Sequence, residues 1–295
     1  MNPLFSIGVT TYNRNDLLKE CLNSILRQQF EDFEVIVGND YTQQAISADI
    51  LGIYDPRIRI VNYPENIGPV ANANTLLALS RGKYFTLLAD DDMHTAHYLQ
   101  VMHNSLLKYD YPLCIFSSFT SDIDIANSVS VKDVGEISES VIFTGRQFLT
   151  RYLSRDLKTI GCYGVFEMTY LRGVGGISQL GDCRSMYAEM PLVILSGLLE
   201  KVVFLRQPLV FFRSHPGSLC NTSTDVEAYM SSQKALFRKC IPIFNRKEIS
   251  DDFQKNMFFL LKWCIQDVAT VMRRSGSICF SAATQYIIFS KQIIE

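Results

Sequence analysis

Three consecutive aspartates are the residues in this sequence best suited to chemistry. Asp90, Asp91 and Asp92 directly follow the apolar run 84–89. Neighbouring carboxylates repel one another, by about 1 kcal/mol at about 4 Å in water and by more in a cleft. A hard divalent cation turns that repulsion into binding, because Mg²⁺ or Mn²⁺ takes one or two carboxylates together with phosphate oxygens. The triplet therefore predicts a Mg²⁺ or Mn²⁺ site, with a solvated acidic turn as the alternative.

The elements that would position these aspartates alternate between strand and helix patterns. Apolar runs at 4–10, 33–37, 58–61 and 84–89 predict strands, and helical patterns cover 17–26 and 69–80. This alternation predicts an α/β fold with a mostly parallel sheet flanked by helices. Ligands bind such sheets beyond the carboxyl ends of the strands. The polar residues at those ends are Thr10-Thr11-Tyr12-Asn13, Asn39-Asp40 and the three aspartates.

The second half of the chain is less regular. We expect irregular strands or loops over 119–145, and a glycine-rich stretch over 173–181 precedes a helical pattern over 186–198. Two β-rich pieces (202–205 and 209–212) and a polar turn (214–224) follow. From 225 onward the pattern is helical, with Met257, Leu261, Cys264, Val268 and Met272 at a spacing of three to four.

Composition excludes several classes of protein. Lys and Arg number 28 against 30 Asp and Glu, a net charge of −2, so nucleic acid is not the expected partner. The eight cysteines include no CxxC pair, and we expect no secretory signal and a reducing, cytoplasmic location. The longest charge-free stretch, 275–290, is shorter than the roughly 20 residues of a membrane-spanning helix.

A series of motifs carries a family resemblance. It comprises the segments 5–14, 22–29 and 33–40, then Asn66-Ile-Gly68, Asn74, Arg81-Gly-Lys-Tyr84 and the aspartates, with a fainter continuation through Gly175-Gly176, Pro208-Leu209 and 212–218. Together these motifs resemble family 2 glycosyltransferases with the Rossmann-like GT-A fold. The resemblance implies an inverting, metal-dependent glycosyltransferase that uses a UDP- or dTDP-linked sugar.

The resemblance also implies roles for individual residues in binding the donor. The implied nucleotide-sugar-binding residues are Thr10, Tyr12, Asn13, Asp40, Asn74, Asp90 and Arg213. Among them, Asp40 would accept a hydrogen bond from the base, and Arg213 would close over the diphosphate. The implied metal ligands are Asp91 and Asp92, and His215, on the polar loop after a strand, is a further candidate ligand, with a solvated histidine as the alternative. Strand alternation offers a rival view, in which Asp90 and Asp92 share a face and Asp91 points away.

Inverting members of this family use a carboxylate as general base on the acceptor hydroxyl. Counting back from Pro208 points to Glu189, with Asp182 as the alternate. Pro191 suits the first turn of a helix, which would leave Glu189 near a helix N-terminus; a capping glutamate is the alternative role. The chain departs from the family pattern at Ala73 and Ala188.

Three histidines suggest a different metal. His94 and His97 stand close to Asp92, with His103 further on. One interpretation is a zinc site; the interpretation that we expect is an exposed helical face.

The resemblance predicts two domains and several partners. Residues 1–223 would form the catalytic domain, with a nucleotide-sugar half (1–118) and an acceptor half (119–223), and 224–295 would form a helical extension. The acceptor would be a glycan or a lipid-linked oligosaccharide in surface polysaccharide synthesis. The C-terminal helices would pack on the catalytic domain or between two copies, with contact to the inner face of a membrane as the alternative.

Two other functions compete with this one. A catalytically silent GT-A domain would bind a nucleotide or serve in assembly, and the departures at Ala73 and Ala188 favour it. A sugar nucleotidyltransferase would need a glycine-rich loop after the first strand, and residues 10–14 contain no glycine.

Overall fold

A computed structural model describes residues 2–128, 140–181, 186–215 and 223–275. The strands are β1 (Phe5–Thr11), β2 (Phe33–Asn39), β3 (Ile58–Asn62), β4 (Tyr84–Ala89), β5 (Met93–His94), β6 (Cys114–Thr120), β7 (Ser140–Phe143), β8 (Val165–Glu167) and β9 (Val202–Phe211). The helices are α1 (Asn15–Leu26), α2 (Ala48–Leu51), α3 (Pro69–Leu79), α4 (Tyr98–Lys108), α5 (Ile123–Ser128), α6 (Gly145–Leu153), α7 (Met168–Gly173), α8 (Met190–Ser196), α9 (Val226–Phe244) and α10 (Phe253–Ser275). Short 3₁₀ turns cover Gly161–Tyr163 and Ser250–Asp252.

All the described strands join one sheet, in the order β3-β2-β1-β4-β8-β6-β9-β5, and β7 also pairs with β9. The first four strands are parallel to one another, as the alternating pattern predicts. Beyond them β8 runs antiparallel between β4 and β6, while β6 and β9 are parallel. The α/β class with helices around a central sheet is therefore confirmed, and the second half of the sheet is mixed.

Three expectations for the second half are wrong in detail. The pieces predicted at 202–205 and 209–212 form the single strand β9, which shifts register against β6 at Ser117 and Ser118 instead of breaking. The helix predicted over 186–198 covers only Met190–Ser196. The segment 119–145 is partly regular, since it contains the end of β6, α5 and β7.

Helices cover both faces of the sheet. Alternating strand side chains divide between two apolar clusters: Ile115 of β6 belongs to the cluster under α1 and α4, whereas Cys114 and Phe116 belong to the cluster under α6, α9 and α10. The C-terminal helices thus pack directly on the sheet and α6. Within the described residues no helix is long and apolar enough to span a bilayer.

A buried carboxylate fixes the strands at the amino edge of the sheet. Glu34 of β2 is only 5% exposed and accepts hydrogen bonds from the Ser6 hydroxyl (2.7 Å), the Arg81 backbone N–H (2.6 Å) and the Arg81 guanidinium (2.8 and 3.0 Å). Burial alone would raise the pKa of Glu34, but these hydrogen bonds outweigh burial and lower it. Glu34 therefore ties β1 and β2 to the chain that enters β4, the strand leading to the aspartates.

We expect Glu34→Gln to destabilise the fold by about 2 kcal/mol at neutral pH, because hydrogen bonds to a charged group are lost. Since the folded pKa lies below its unfolded value, this contribution is present above the unfolded pKa and disappears as the pH falls through the folded pKa. Urea denaturation of both proteins across acidic pH measures this convergence, with the exposed Glu65→Gln as the control. A difference from wild type that stays constant with pH would contradict this role for the Glu34 charge.

Candidate active site

The polar residues that follow β1, β2 and β4 lie at one edge of the sheet. Thr11 pairs with Asn39, and Thr10 pairs with Ala89. The residues that directly follow β2 and β4 hydrogen-bond to β1. The Asp40 N–H donates to the Thr11 carbonyl (3.1 Å), and the Asp90 N–H donates to the Thr10 carbonyl (3.2 Å). The two aspartates therefore flank the carboxyl end of β1, as the strand pattern predicts.

Arg14 lies between two of the three aspartates. Its guanidinium is 2.7 Å from Asp90 Oδ1 and 2.7 Å from Asp91 Oδ2. Asn13 adopts a left-handed conformation (φ 54°) immediately before it, which Asn tolerates better than most residues. Thr11 also donates to Asp90 Oδ2 (2.5 Å). Arg14 stands in the first motif of the sequence, but its role is not evident there; its one sequence signal is its place directly after the polar residues that end β1.

Asp90 is fully buried and remains incompletely hydrogen-bonded. Its Oδ1 atom is close enough to the Arg14 guanidinium to form an ion pair, but the angles are not those of a hydrogen bond. Burial raises the pKa of Asp90 to about 6, against the lowering effects of the Arg14 charge and the Thr11 hydroxyl. This oxygen is a buried anion with one cationic neighbour.

Asp92 anchors two other segments. Its carboxylate accepts hydrogen bonds from the Tyr163 hydroxyl and from the Arg213 backbone N–H (2.8 Å). Burial raises the pKa of Asp92 to about 7 despite these hydrogen bonds. Both carboxylate oxygens are thus engaged and the residue is 1% exposed. This geometry favours a positioning role for Asp92 over the metal-ligand role that the sequence suggests.

The segment 212–215 lies over Asp91. The Arg213 Nε–H donates to the Asp91 carbonyl (3.0 Å), and its guanidinium forms an ion pair with Glu20. His215 Nε2 lies 2.9 Å from Asp91 Oδ2. The structure thus brings Arg213 and His215 to the acidic residues as expected, while the rest of that motif, 216–218, lies outside the described residues.

The donor atoms at Asp91 suit a divalent cation shared with a ligand. The described residues contain no group of three or more His, Cys, Asp or Glu side chains arranged to hold a metal by themselves. Asp91 Oδ2 and His215 Nε2 nevertheless lie side by side, 2.9 Å apart, next to the incompletely bonded Asp90. Mg²⁺ commonly uses one or two protein ligands and completes its shell with phosphate oxygens and water. The residues present therefore fit a cation held jointly with a diphosphate.

Two other predicted donor-binding residues make scaffold contacts. The Asp40 carboxylate accepts hydrogen bonds from the backbone N–H groups of Ile67 (2.7 Å) and Gly68 (2.9 Å). The Asn74 amide forms two hydrogen bonds with the Ile177 backbone (2.8 and 3.0 Å). Gly176 has φ 66°, and a Cβ there would lie 2.5 Å from the Asn74 side chain, so only glycine fits this contact. Asn74 therefore fastens the glycine-rich segment to α3.

Two tyrosines, Tyr12 and the half-buried Tyr41, border the same edge. Tyr12 is 49% exposed, and its ring lies 5.3 Å from the ring of Tyr41 in an edge-to-face arrangement. Tyr41 directly follows Asp40 and was not among the residues predicted from sequence. An aromatic pair at the surface, with one exposed ring, next to an acidic cleft can contact a planar base without any rearrangement of the core.

Glu189 lies at the N-terminus of α8, with Pro191 in the first turn, as the sequence predicts. It packs against the 3₁₀ turn 161–163, because a Cβ on Gly161 would lie 3.1 Å from Glu189 Cγ. Tyr163 of the same turn contacts Asp92, so one three-residue turn separates Glu189 from the aspartates. Burial raises the pKa of Glu189, and its side chain makes no capping hydrogen bond. The alternate base, Asp182, lies outside the described residues.

The C-terminal helices hold the turn that carries Glu189. Two residues before it, the Tyr187 hydroxyl donates to Asp267 of α10 (3.1 Å) and accepts from the Gln233 amide of α9 (2.8 Å). The Gln233 amide also donates to the Cys264 carbonyl (2.9 Å). Helices α9 and α10 are therefore part of the support for Glu189.

The expectation of an exposed histidine face is wrong. His94 and His97 are 3% and 7% exposed. The His94 ring stacks on Tyr98 at 3.7 Å, and burial lowers the pKa of His94 to about 3. The neutral ring acts as an apolar side chain in the core, which residue type alone does not reveal.

Comparison with known proteins identifies the family. The family model described as "Glycosyl transferase family 2" matches residues 6–170, more than half of the chain. The chain therefore belongs to glycosyl transferase family 2.

Several curated proteins are similar over part of their length. WcaA of Escherichia coli K12, a putative colanic acid biosynthesis glycosyl transferase, is 33% identical over 34% of this chain and 37% of its own length. GlyG of Streptococcus pneumoniae, a glycosyltransferase, is 26% identical over 85% of this chain and 81% of its own length. A GalNAc(5)-diNAcBac-PP-undecaprenol β-1,3-glucosyltransferase of Campylobacter jejuni is 34% identical over 30% of each chain.

Solved structures agree on the fold. TarS of S. aureus in complex with UDP-GlcNAc superposes with a TM-score of 0.59 at 15% identity, covering 91% of this chain and 82% of that one. The mannosyltransferase PcManGT of Pyrobaculum calidifontis in complex with GDP-Man and Mn²⁺ gives 0.55 at 13% identity, covering 100% and 81%. The fold is that of the GT-A glycosyltransferases.

We expect Tyr187→Phe to destabilise the protein by about 1–3 kcal/mol, because Gln233 and Asp267 lose a buried partner. Chemical denaturation of the variant measures the loss. Tyr54→Phe is the matched control, since Tyr54 also bonds a carboxylate but is 73% exposed. Equal small effects in both variants would show that the hydrogen bonds of Tyr187 do not hold the turn.

Proposed function

We propose that this chain is an inverting, divalent-metal-dependent glycosyltransferase. It would move a sugar from a UDP- or dTDP-linked donor to a hydroxyl of a glycan or lipid-linked acceptor in surface polysaccharide synthesis. The observation that carries the proposal is the convergence of Asp90, Asp91, Arg14 and His215 at the carboxyl end of β1 and β4. The acidic and imidazole groups suit a bound cation, and the cationic group suits the diphosphate that would share this cation with the protein.

At the donor end, Asp91 and His215 would hold Mg²⁺ or Mn²⁺, which would supply charge stabilisation to the departing diphosphate. Arg14 and Arg213 add cationic groups beside it. Tyr12 and Tyr41 would contact the base, near Asp40 and Thr10. The TarS structure is a complex with UDP-GlcNAc and the PcManGT structure a complex with GDP-Man and Mn²⁺, which supports a nucleoside-diphosphate donor and a divalent ion.

At the acceptor end, Glu189 would take the proton of the attacking hydroxyl. A carboxylate whose pKa is raised by burial is a stronger base than an exposed one, which suits that step. Its contact with the turn 161–163 keeps it close to the aspartates. The named activities of WcaA and of the Campylobacter enzyme support a glycan or a lipid-linked oligosaccharide as acceptor.

A nucleotide-binding component without catalysis is the second candidate. Arg14 already compensates both Asp90 and Asp91, an arrangement that would also suit binding alone. The departures at Ala73 and Ala188 favour the same candidate.

We expect UDP or dTDP to stabilise the protein only together with Mn²⁺, by about 2.7 kcal/mol at a ligand concentration of about 100 Kd. Thermal shift with UDP, dTDP, GDP and CMP, each with and without Mn²⁺, measures this dependence. Asp91→Asn should abolish the combined effect, whereas Asp251→Asn, at a 73% exposed and distant side chain, should not. Equal stabilisation without metal, or in Asp91→Asn, would contradict the proposed metal site.

We expect Glu189→Gln to lower sugar transfer by about 10²- to 10⁴-fold, because the acceptor proton loses its base. The nucleotide- and Mn²⁺-dependent thermal shift should persist in this variant. Glu200→Gln, an exposed change beyond the other end of α8, is the control. Release of the free nucleoside diphosphate from the donor measures the rate of transfer. Undiminished turnover would rule out Glu189 as the base and leave Asp182.

A further inference from the structure

The outward face of α10 has an unusual composition. The exposed positions on this face are Gln254, Lys255, Phe258, Lys262, Ile265, Gln266, Ala269 and Arg273. At 100° per residue these positions fall within one third of the helix circumference. Three of them are cationic and none is acidic, because Asp267, the acidic residue of α10, points inward to Tyr187. We call these eight residues the outer α10 face.

Two large apolar side chains project from the same face. Phe258 is 62% exposed and Ile265 is 46% exposed, two turns apart along the helix. Lys255 and Lys262 flank Phe258 at spacings of three and four, and neither lysine forms an ion pair within the described residues. Apolar side chains with flanking free cations on one helix face are typical of helices that lie in a bilayer interface.

Positive charge is also concentrated in the C-terminal helices of the chain. Residues 226–275 carry nine Lys and Arg against five Asp and Glu, a net charge of +4. Residues 1–225 carry 18 against 24, a net charge of −6. A protein with a net negative charge therefore presents a positive C-terminal helix pair. An anionic surface would attract this pair and repel the rest of the molecule, which fixes the orientation of approach.

A groove continues the outer α10 face toward α6. It has a volume of about 560 Å³, and Lys255 and Phe259 of α10 line it together with Arg151 and Thr150 of α6. Arg146, also in its wall, is neutralised by Asp251 and Asp252, and Asp156 contributes one further carboxylate. The hydroxyl and cationic groups of this groove, next to Phe258, are suited to binding a lipid headgroup.

We propose that the outer α10 face is a docking surface for an anionic phospholipid membrane, on which α10 lies parallel to the bilayer. Phe258 and Ile265 enter the interface, and Lys255, Lys262 and Arg273 contact lipid phosphates. The inner side of α10 bonds Tyr187, so the docked helix remains attached to the turn that carries Glu189. The docking surface extends the proposed function, because the proposed acceptors include lipid-linked glycans. Membrane docking depends only on the composition of the outer α10 face and not on the transferase activity.

Vesicle sedimentation tests the proposal with the intact protein and without any donor sugar. The protein should sediment with vesicles of phosphatidylcholine and phosphatidylglycerol, should stay in solution with phosphatidylcholine alone, and should be released by salt. Lys255→Gln and Lys262→Gln should each lower vesicle affinity about 5-fold. Phe258→Ala should lower it about 10-fold.

Matched controls and contrary outcomes are available within the chain. Arg206→Gln and Leu107→Ala alter an exposed cation and a 52% exposed leucine away from α10, and both should bind vesicles like wild type. The emission of Trp263, the single tryptophan of the chain and a residue of α10, verifies that each variant keeps its fold. Binding to neutral vesicles alone, or equal losses in the controls, would overturn the proposal. So would a dimer in light scattering that Phe258→Ala dissociates, because a second copy would then cover this face. Failure here with an intact nucleotide-dependent thermal shift would leave the transferase proposal standing.

Discussion

The structure depends on the compensation of buried negative charge at the carboxyl end of β4. Two carboxylates, Asp90 and Asp91, follow this buried strand, and each lies 2.7 Å from Arg14. Carboxylates this close are costly in a partly dry cleft unless cations neutralise them. Arg14 supplies that neutralisation, and His215 adds a ring nitrogen 2.9 Å from Asp91 Oδ2. The same two carboxylates make the place suited to a divalent cation, which would share the compensation of their charge with Arg14.

The rest of the fold holds these groups in register. Glu34 ties the amino ends of β1 and β2 to the entry of β4, and Asp92 ties the end of β4 to the segment that carries Arg213 and His215. Tyr163 continues this connection to the turn against which Glu189 packs. From Glu189 the chain of contacts passes through Tyr187 to Gln233 and Asp267. The helices predicted as an extension are thus continuous with the site, and they share an apolar core with the sheet.

Much of the first half could be predicted from sequence because each signal there is local. Apolar runs of strand length, helical spacing and polar residues after each strand gave β1 to β4 and the edge at which Asp40 and Asp90 meet. The roles of single residues were harder, because they depend on partners far along the chain. Arg14 acquires its role from aspartates 76 and 77 positions away, and Asn74 from a backbone 103 positions away. His94 looks polar in sequence, but tertiary burial makes it part of the core.

The central claim is that Asp91 and His215 bind one divalent cation together with a nucleoside diphosphate. Pulsed electron paramagnetic resonance of Mn²⁺ in the presence of UDP tests it most directly, because the method detects nitrogen nuclei coupled to the bound ion. We expect the signal of a directly coordinated imidazole nitrogen, which should disappear in His215→Gln and persist in Asp92→Asn. A Mn²⁺–UDP complex on the protein with no nitrogen coupling in the wild type would contradict it.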